Sequence, residues 1–179
     1  MLLLQITGLS GVGKTTLAQW VSHQLIKMGQ SCIVIDGDSY RKTLCKDLGF
    51  SHADRLENIR RLGAVGYDHA QQGTIAIIAA INPFEAARQE LKSLYHAKTV
   101  WIDCQMDTLI ERDTKGLYRK ALLPPGHPDK IMNLTGVNDV YEKPAQADLY
   151  LNTDLLTLDV AGSLLLNFIL SQLDESEVR

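Results

Sequence analysis

The chain has 179 residues, 45% of them hydrophobic and 22% charged, and a formal net charge of −3 at pH 7. That length and balance exclude a disulfide-stapled miniprotein and a largely disordered chain, and predict a single domain over 1–179 with its own core. The mild acidity gives no electrostatic reason to expect a nucleic-acid polymer as partner, so phosphate must be held by local positive groups.

In chain order, short apolar runs alternate with longer helical patterns. Leu2 to Thr7 reads as a buried strand, followed by a glycine loop and a helix from Lys14 to Met28 that Gly29 caps. The apolar opening lacks a basic flank, so no signal peptide is expected, and no apolar run approaches the ~20 residues of a membrane helix. Ser31 to Ile35 is a second strand ending at Asp36-Gly37-Asp38, with helices expected over Ser39 to Asp47 and Ala53 to Gln72. Thr74 to Ile81 is the uninterrupted apolar run of a central parallel strand. Pro83 opens a helix through Tyr95, Thr99 to Asp103 is a fourth strand, and one charged helix is expected over Met106 to Ala121. An irregular proline-rich segment precedes a short strand at Leu149 to Asn152 and an apolar C-terminal helix over Leu155 to Leu173, docked core with room for a homodimer contact. Strand–helix alternation predicts an α/β three-layer sandwich with a parallel central sheet and its site at the strands' carboxyl ends. Cys32, Cys45 and Cys104 are odd in number and widely spaced, which suits reduced thiols in the cytoplasm, and the five histidines share no metal-ligand spacing.

Gly8-Leu9-Ser10-Gly11-Val12-Gly13-Lys14-Thr15 matches G-x-x-x-x-G-K-[ST] in full, between a buried strand and a helix as the P-loop requires. Its backbone N–H groups turn inward around phosphate oxygens, and the helix N-terminus adds partial positive charge. Lys14 is expected to bridge the β- and γ-phosphates of ATP and the Thr15 hydroxyl to ligate Mg²⁺. A P-loop alone does not separate a kinase from a nucleotide-dependent regulatory switch. The chain lacks an Asn-Lys-x-Asp guanine-reading tetrad, which weakens the switch.

Asp36 and Asp38 follow the second strand, so both carboxylates belong at the sheet edge that carries the P-loop. Asp38 is the candidate to accept a proton from an attacking hydroxyl and to hold Mg²⁺ through water; the competing role is a helix N-cap. Arg41, Arg55, Asn58, Arg60 and Arg61 come next. Arg55, Asn58 and Arg61 at three-residue spacing put guanidinium and amide groups on one helix face, either to bind an anion or to pair with Asp54 and Glu57 on a solvated face.

Together these residues resemble the adenylyl-sulfate kinases (APS kinases). The shared motifs are Gly-Leu-Ser-Gly-x-Gly-Lys-Thr-Thr at Gly8 to Thr16, Asp-Gly-Asp-x-x-Arg at Asp36 to Arg41, and Leu-Gly-Phe-Ser…Asp-Arg-x-Glu-Asn-Ile-Arg-Arg at Leu48 to Ser51 and Asp54 to Arg61. The lid sequence Arg-Asp-x-Lys-Gly-Leu-Tyr-x-Lys-Ala lies at Arg112 to Ala121, and Thr-Gly…Tyr-Glu-x-Pro at Thr135-Gly136 and Tyr141 to Pro144. The resemblance implies transfer of the ATP γ-phosphate to the ribose 3′-hydroxyl of adenylyl sulfate, giving PAPS in sulfate activation, with a lid over roughly 112–144. It implies Asp38 and Lys14 as catalytic residues, and Gly8, Ser10, Gly11, Val12, Gly13, Lys14, Thr15, Thr16 and Arg112 on the ATP side. The acceptor falls to Asp36, Arg41, Phe50, Arg55, Asn58, Ile81, Asn82, Lys115 and Leu134, with Phe50 stacking on its base. The metal falls to Thr15 and Asp38.

Four departures lie on the acceptor side. Asn82-Pro83 replaces the family's Ser-Pro, so no phosphoserine forms there, although an amide can still bond an acceptor. Leu122 stands where the family has Arg, Leu123 to Met132 is longer and richer in proline, and Leu134 replaces a Phe. A relative of this scaffold that uses cytidine diphosphoramidate makes that compound the alternative acceptor.

Overall fold

The computed structural model describes residues 1–177. Five parallel strands, β1 (Leu3–Thr7), β2 (Cys32–Asp36), β3 (Ile75–Ala79), β4 (Lys98–Asp103) and β5 (Leu149–Asn152), lie in the order β2-β3-β1-β4-β5. The helices are α1 (Lys14–Lys27), α2 (Gly37–Tyr40), α3 (His52–Gln71), α4 (Glu85–Tyr95), α5 (Met106–Arg112), α6 (Leu117–Ala121) and α7 (Leu158–Glu177). The expected parallel α/β sandwich is present.

Side-chain alternation divides the core. Leu4 and Ile6 of β1 and Ile75, Ile77 and Ala79 of β3 join α1, α5, α6 and α7 on one face. Leu3 of β1 and Ala76 and Ile78 of β3 join α3 and α4 on the other. Burial on both sides is why these strands read as continuous apolar runs.

Three expected helices come out differently. The charged stretch is two helices, because the Asp113 carboxylate accepts from the backbone N–H groups of Tyr118 and Arg119 and so starts α6 afresh. α2 stops at Tyr40; residues after it follow i→i+3 turns, with Thr43 N–H bonded to the Tyr40 carbonyl and Leu48 N–H to that of Cys45. The C-terminal helix begins at Leu158, because Leu155 and Leu156 turn back to bond the Asn152 carbonyl.

A buried polar strut beneath the sheet edge ties distant segments together. Arg88 of α4 is 1% exposed and pairs with Glu85 at 2.6 Å. It donates to the Asn82 and Glu142 carbonyls, each at 2.7 Å, while its own carbonyl accepts from Gln5 at 3.0 Å. One side chain therefore fixes the β3–α4 link and the chain returning from the α5–α6 region. Arg88→Met keeps the bulk and removes the guanidinium's bonds to Glu85, Asn82 and Glu142. It should cost about 3 kcal/mol in chemical denaturation, the low end for a broken buried pair because Glu85 keeps contact with water. A loss below about 1 kcal/mol, the scale of one neutral hydrogen bond, contradicts the strut.

Candidate active site

The P-loop links β1 to α1, and Gly11 and Gly13 take φ of 80° and 97°, the left-handed region in which glycine carries no Cβ penalty. That path aims backbone N–H groups into a cleft of ≈ 510 Å³ at the carboxyl ends of β1, β2 and β3. Lys14 lies folded against the loop, its Nζ donating to the carbonyls of Gly8 at 2.9 Å and Leu9 at 2.7 Å. Burial, then the Lys115 ammonium, push its pKa down to about 7, and Asp38 and Asp36 offset only part of this. A neutral amine has two N–H donors, enough for those two carbonyls.

Thr15 donates its hydroxyl proton to Asp36 Oδ2 at 2.6 Å, which leaves the oxygen's lone pairs free for a cation. Asp36 Oδ1 caps α2 by accepting from Ser39 N–H at 2.9 Å. Burial works to raise the Asp36 pKa, but the bonds from Thr15 and Ser39 prevail and hold it below the usual carboxylate range. The N-cap role thus belongs to Asp36. Asp38 makes no cap and faces the cleft, where Lys115 Nζ stands 2.5 Å away. Thr15, Asp36 and Asp38 offer hard oxygens, and among the described residues no group of three or more His, Cys, Asp or Glu forms a cage. That set fits Mg²⁺, which keeps several waters and draws its other ligands from phosphate.

Across the cleft stands a second wall. Arg41 lies over the Phe50 ring, 4.5 Å from its centroid, with the Arg55 guanidinium at 5.5 Å. Phe50 is 52% exposed and lines the cleft, so part of its aromatic surface is open to a ligand there. Leu134 and Ile81 supply aliphatic surface to the same cleft. Of the residues expected from sequence, the structure gathers Ser10, Gly11, Gly13, Lys14, Thr15, Thr16, Asp36 and Asp38 with Arg41, Phe50, Arg55, Ile81, Lys115 and Leu134 around one space.

Other expected residues sit elsewhere. Gly8 lies beneath the loop and Val12 is core, 2% exposed. Arg112 reaches the Thr153 carbonyl at 3.2 Å, and Thr153 in turn donates to the Val12 carbonyl, so Arg112 is on the outer flank of the P-loop. Asn58 is 4% exposed, its carbonyl oxygen unpartnered. Asn82 does not offer its amide to the cleft; Nδ2 donates to Gln5 Oε1 at 3.0 Å inside the polar strut. Arg61 pairs with Asp47 and Glu57 and Arg60 with Glu90, so the solvated-face reading holds for these two while Arg55 turns inward. Among the described residues Asp54 pairs with no arginine and takes the Ser51 hydroxyl instead. The sequence reading missed Tyr118, whose hydroxyl donates to the Ser10 carbonyl at 2.8 Å, and Tyr141, whose hydroxyl meets Thr7 Oγ1 at 3.0 Å. Both lie in quoted motifs, but nothing local reveals their distant partners. Ile131, Asn133 and Thr135 also line the cleft.

Phosphate against Lys14 must restore its charge, since an adjacent anion favours the ammonium. Binding of MgATP at about pH 8 should therefore take up about one proton, falling toward zero near pH 6, where Lys14 is already charged. Calorimetry in buffers of different ionisation enthalpy measures this. An uptake that does not grow with pH contradicts a neutral Lys14 in the free protein.

The family model described as adenylylsulphate kinase matches residues 1–152. A probable adenylyl-sulfate kinase of Bacillus subtilis (strain 168) is 40% identical over 174 residues, 96% of this chain and 86% of that one. An adenylyl-sulfate kinase of Chloroflexus aurantiacus is 42% identical over 158 residues, 88% and 82% of the two chains. The solved structure of the Mycobacterium tuberculosis APS kinase CysC in complex with AMPPNP and APS is similar with a TM-score of 0.86 at 34% identity, covering 94% of this chain and 96% of that one. The chain belongs to the adenylylsulphate kinase family.

Proposed function

We propose that the chain transfers the γ-phosphate of MgATP to the ribose 3′-hydroxyl of adenylyl sulfate in a single step, as one domain with a lid over roughly 112–144. The carrying observation is the single cleft, with Lys14, Thr15, Asp36 and Asp38 at one end and Arg41, Phe50 and Leu134 at the other. Donor phosphates and an acceptor nucleotide fit these ends together. Family membership and an acceptor wall leave the regulatory switch without support.

The P-loop amides and Lys14 hold the β- and γ-phosphates; Thr15, Asp36 and Asp38 would hold Mg²⁺, which would supply neutralisation of the phosphate charge. Arg41 and the Phe50 face hold the acceptor's anionic bridge and base. Asp38 accepts the proton of the 3′-hydroxyl as its oxygen bonds to the γ-phosphorus, and the bond from that phosphorus to the β–γ bridging oxygen breaks, releasing ADP. Lys115 lies beside both Asp38 and the phosphate end, so its charge serves the transferring group as the lid closes. Asn82, buried in the strut, takes no part in a phosphorylated intermediate.

Among the described residues no helix is long and apolar enough to cross a membrane, and the three cysteines are unpaired, which supports a cytoplasmic setting. Self-association through α7, where Leu158, Val160 and Leu164 are exposed, belongs to the same reading. A monomer mass in light scattering would remove that part.

The direct test is turnover with MgATP against adenylyl sulfate, cytidine diphosphoramidate and plain nucleoside monophosphates. Adenylyl sulfate should be preferred, and Asp38→Asn should lower kcat on the order of 10²-fold with ATP affinity little changed. A preference for another acceptor contradicts the substrate; an Asp38→Asn defect confined to acceptor KM assigns Asp38 to binding. Leu134 is one specific reason to keep cytidine diphosphoramidate in the panel, because an aliphatic wall cannot complete a stacking clamp with Phe50. Leu134→Phe should tighten adenylyl sulfate by about 1 kcal/mol, roughly fivefold in kcat/KM. An unchanged value for both acceptors shows that Leu134 does not touch the base.

A further inference from the structure

Arg55 is less free to bind an anion than its place in the cleft suggests. A guanidinium has five N–H donors, and four are already committed. Nε donates to the Phe50 carbonyl at 3.0 Å and Nη1 to Thr135 Oγ1 at 3.0 Å. Nη2 donates to the Asn133 carbonyl at 2.8 Å and to Asp139 Oδ2 at 2.7 Å. Only one Nη1 N–H remains. The side chain is 7% exposed and that of Asp139 28%, so the pair is well shielded from water and holds its geometry better than a surface bridge.

Three of these bonds land on one tight loop, residues 133–139, which carries the acceptor wall. Within it the Leu134 carbonyl accepts from the N–H groups of Val137, Asn138 and Asp139, and Gly136 N–H donates back to the Asp139 carbonyl at 2.7 Å. The loop also rests on the phosphate loop. At Gly136, φ +89°, a conformation that L side chains rarely adopt, an added Cβ would also come 2.6 Å from Leu9 Cδ2, so glycine favours this contact. Asp139 closes the loop yet does not line the cleft, whereas Asn133, Leu134 and Thr135 do.

We propose that Asp139 is a positioning residue for the acceptor: through Arg55 it locks the loop that carries Leu134 and Thr135 against α3 and the P-loop. This rests on the reading of the Arg41–Phe50–Leu134 end as the acceptor site. The lock presents a preformed wall, so the acceptor does not have to order it on binding. The donor end does not depend on it, because the phosphate contacts come from the P-loop itself.

The test uses whichever acceptor the full chain turns over. Asp139→Asn keeps the shape and removes the charge. It should raise the acceptor KM by about tenfold, the scale of one charge-assisted hydrogen bond, with ATP KM and saturating kcat unchanged. Asp139→Glu, which keeps the charge, should recover part of the loss. In an Arg55→Ala background the same Asp139→Asn change should have almost no further effect, since its route is already gone. An unchanged acceptor KM, a parallel loss in ATP KM, or full additivity with Arg55→Ala each overturns the proposal. Absence of turnover with every acceptor in the panel would instead sink the functional reading.

Discussion

A half-buried lysine with no carboxylate bonded to it is the constraint around which this site is built. Lys14 is held by two backbone carbonyls of its own loop. The nearby acids are committed elsewhere, Asp36 to Thr15 and Ser39, Asp38 to Lys115. The loop amides, the α1 N-terminus and Lys14 therefore form a donor-lined hollow with no carboxylate bonded to Lys14, and an anion is what completes it. Had Asp36 or Asp38 paired with Lys14 directly, the ammonium would be satisfied and phosphate would have to displace a carboxylate. Thr15 prevents this for Asp36 by occupying one carboxylate oxygen while leaving its own lone pairs for metal.

The sheet order turns that hollow into a two-substrate cleft. β1 lies centrally, with β3 and β2 on one side and β4 and β5 on the other; its own connection runs through α1 to β2 on one side while that from β3 runs through α4 to β4 on the other, so a crevice opens at its carboxyl end. The β2 side supplies Asp36, Asp38, Arg41 and Phe50 within one short stretch of chain. The segment between α6 and β5 supplies Leu134 and Thr135 from far away in sequence. Tyr118 on Ser10 and Tyr141 on Thr7 then moor residues 117–141 to the P-loop and to β1.

How much of this was legible in the sequence followed the range of the interactions. The P-loop is a local motif whose function depends on its own backbone, and it stands where eight consecutive residues place it. The strands were legible because burial on both faces leaves no polar alternation, as in Ile75–Ala79. The break at Asp113 was hidden because a mid-helix aspartate and a cap are the same residue until its carboxylate finds Tyr118 and Arg119 N–H. On α3, three-residue spacing put Arg55, Asn58 and Arg61 on one face. Asp47, outside the helix, drew Arg61 to the surface, and Asp139, 84 positions away, held Arg55 inward. Asn82 was the clearest limit. Its chemistry allowed an acceptor contact, and only the position of Gln5, 77 residues earlier, turns the amide into the core.

The central claim is that donor and acceptor occupy one cleft together and phosphate passes between them in a single displacement, with no phosphorylated enzyme. ATP made chiral at the γ-phosphorus with oxygen isotopes tests this most directly, by reading the configuration of the transferred phosphate in the product. A single in-line transfer inverts the phosphorus, and inversion is the predicted result. Retention would mean two successive displacements through a protein side chain, and would contradict both the one-cleft geometry and the role assigned to Asp38.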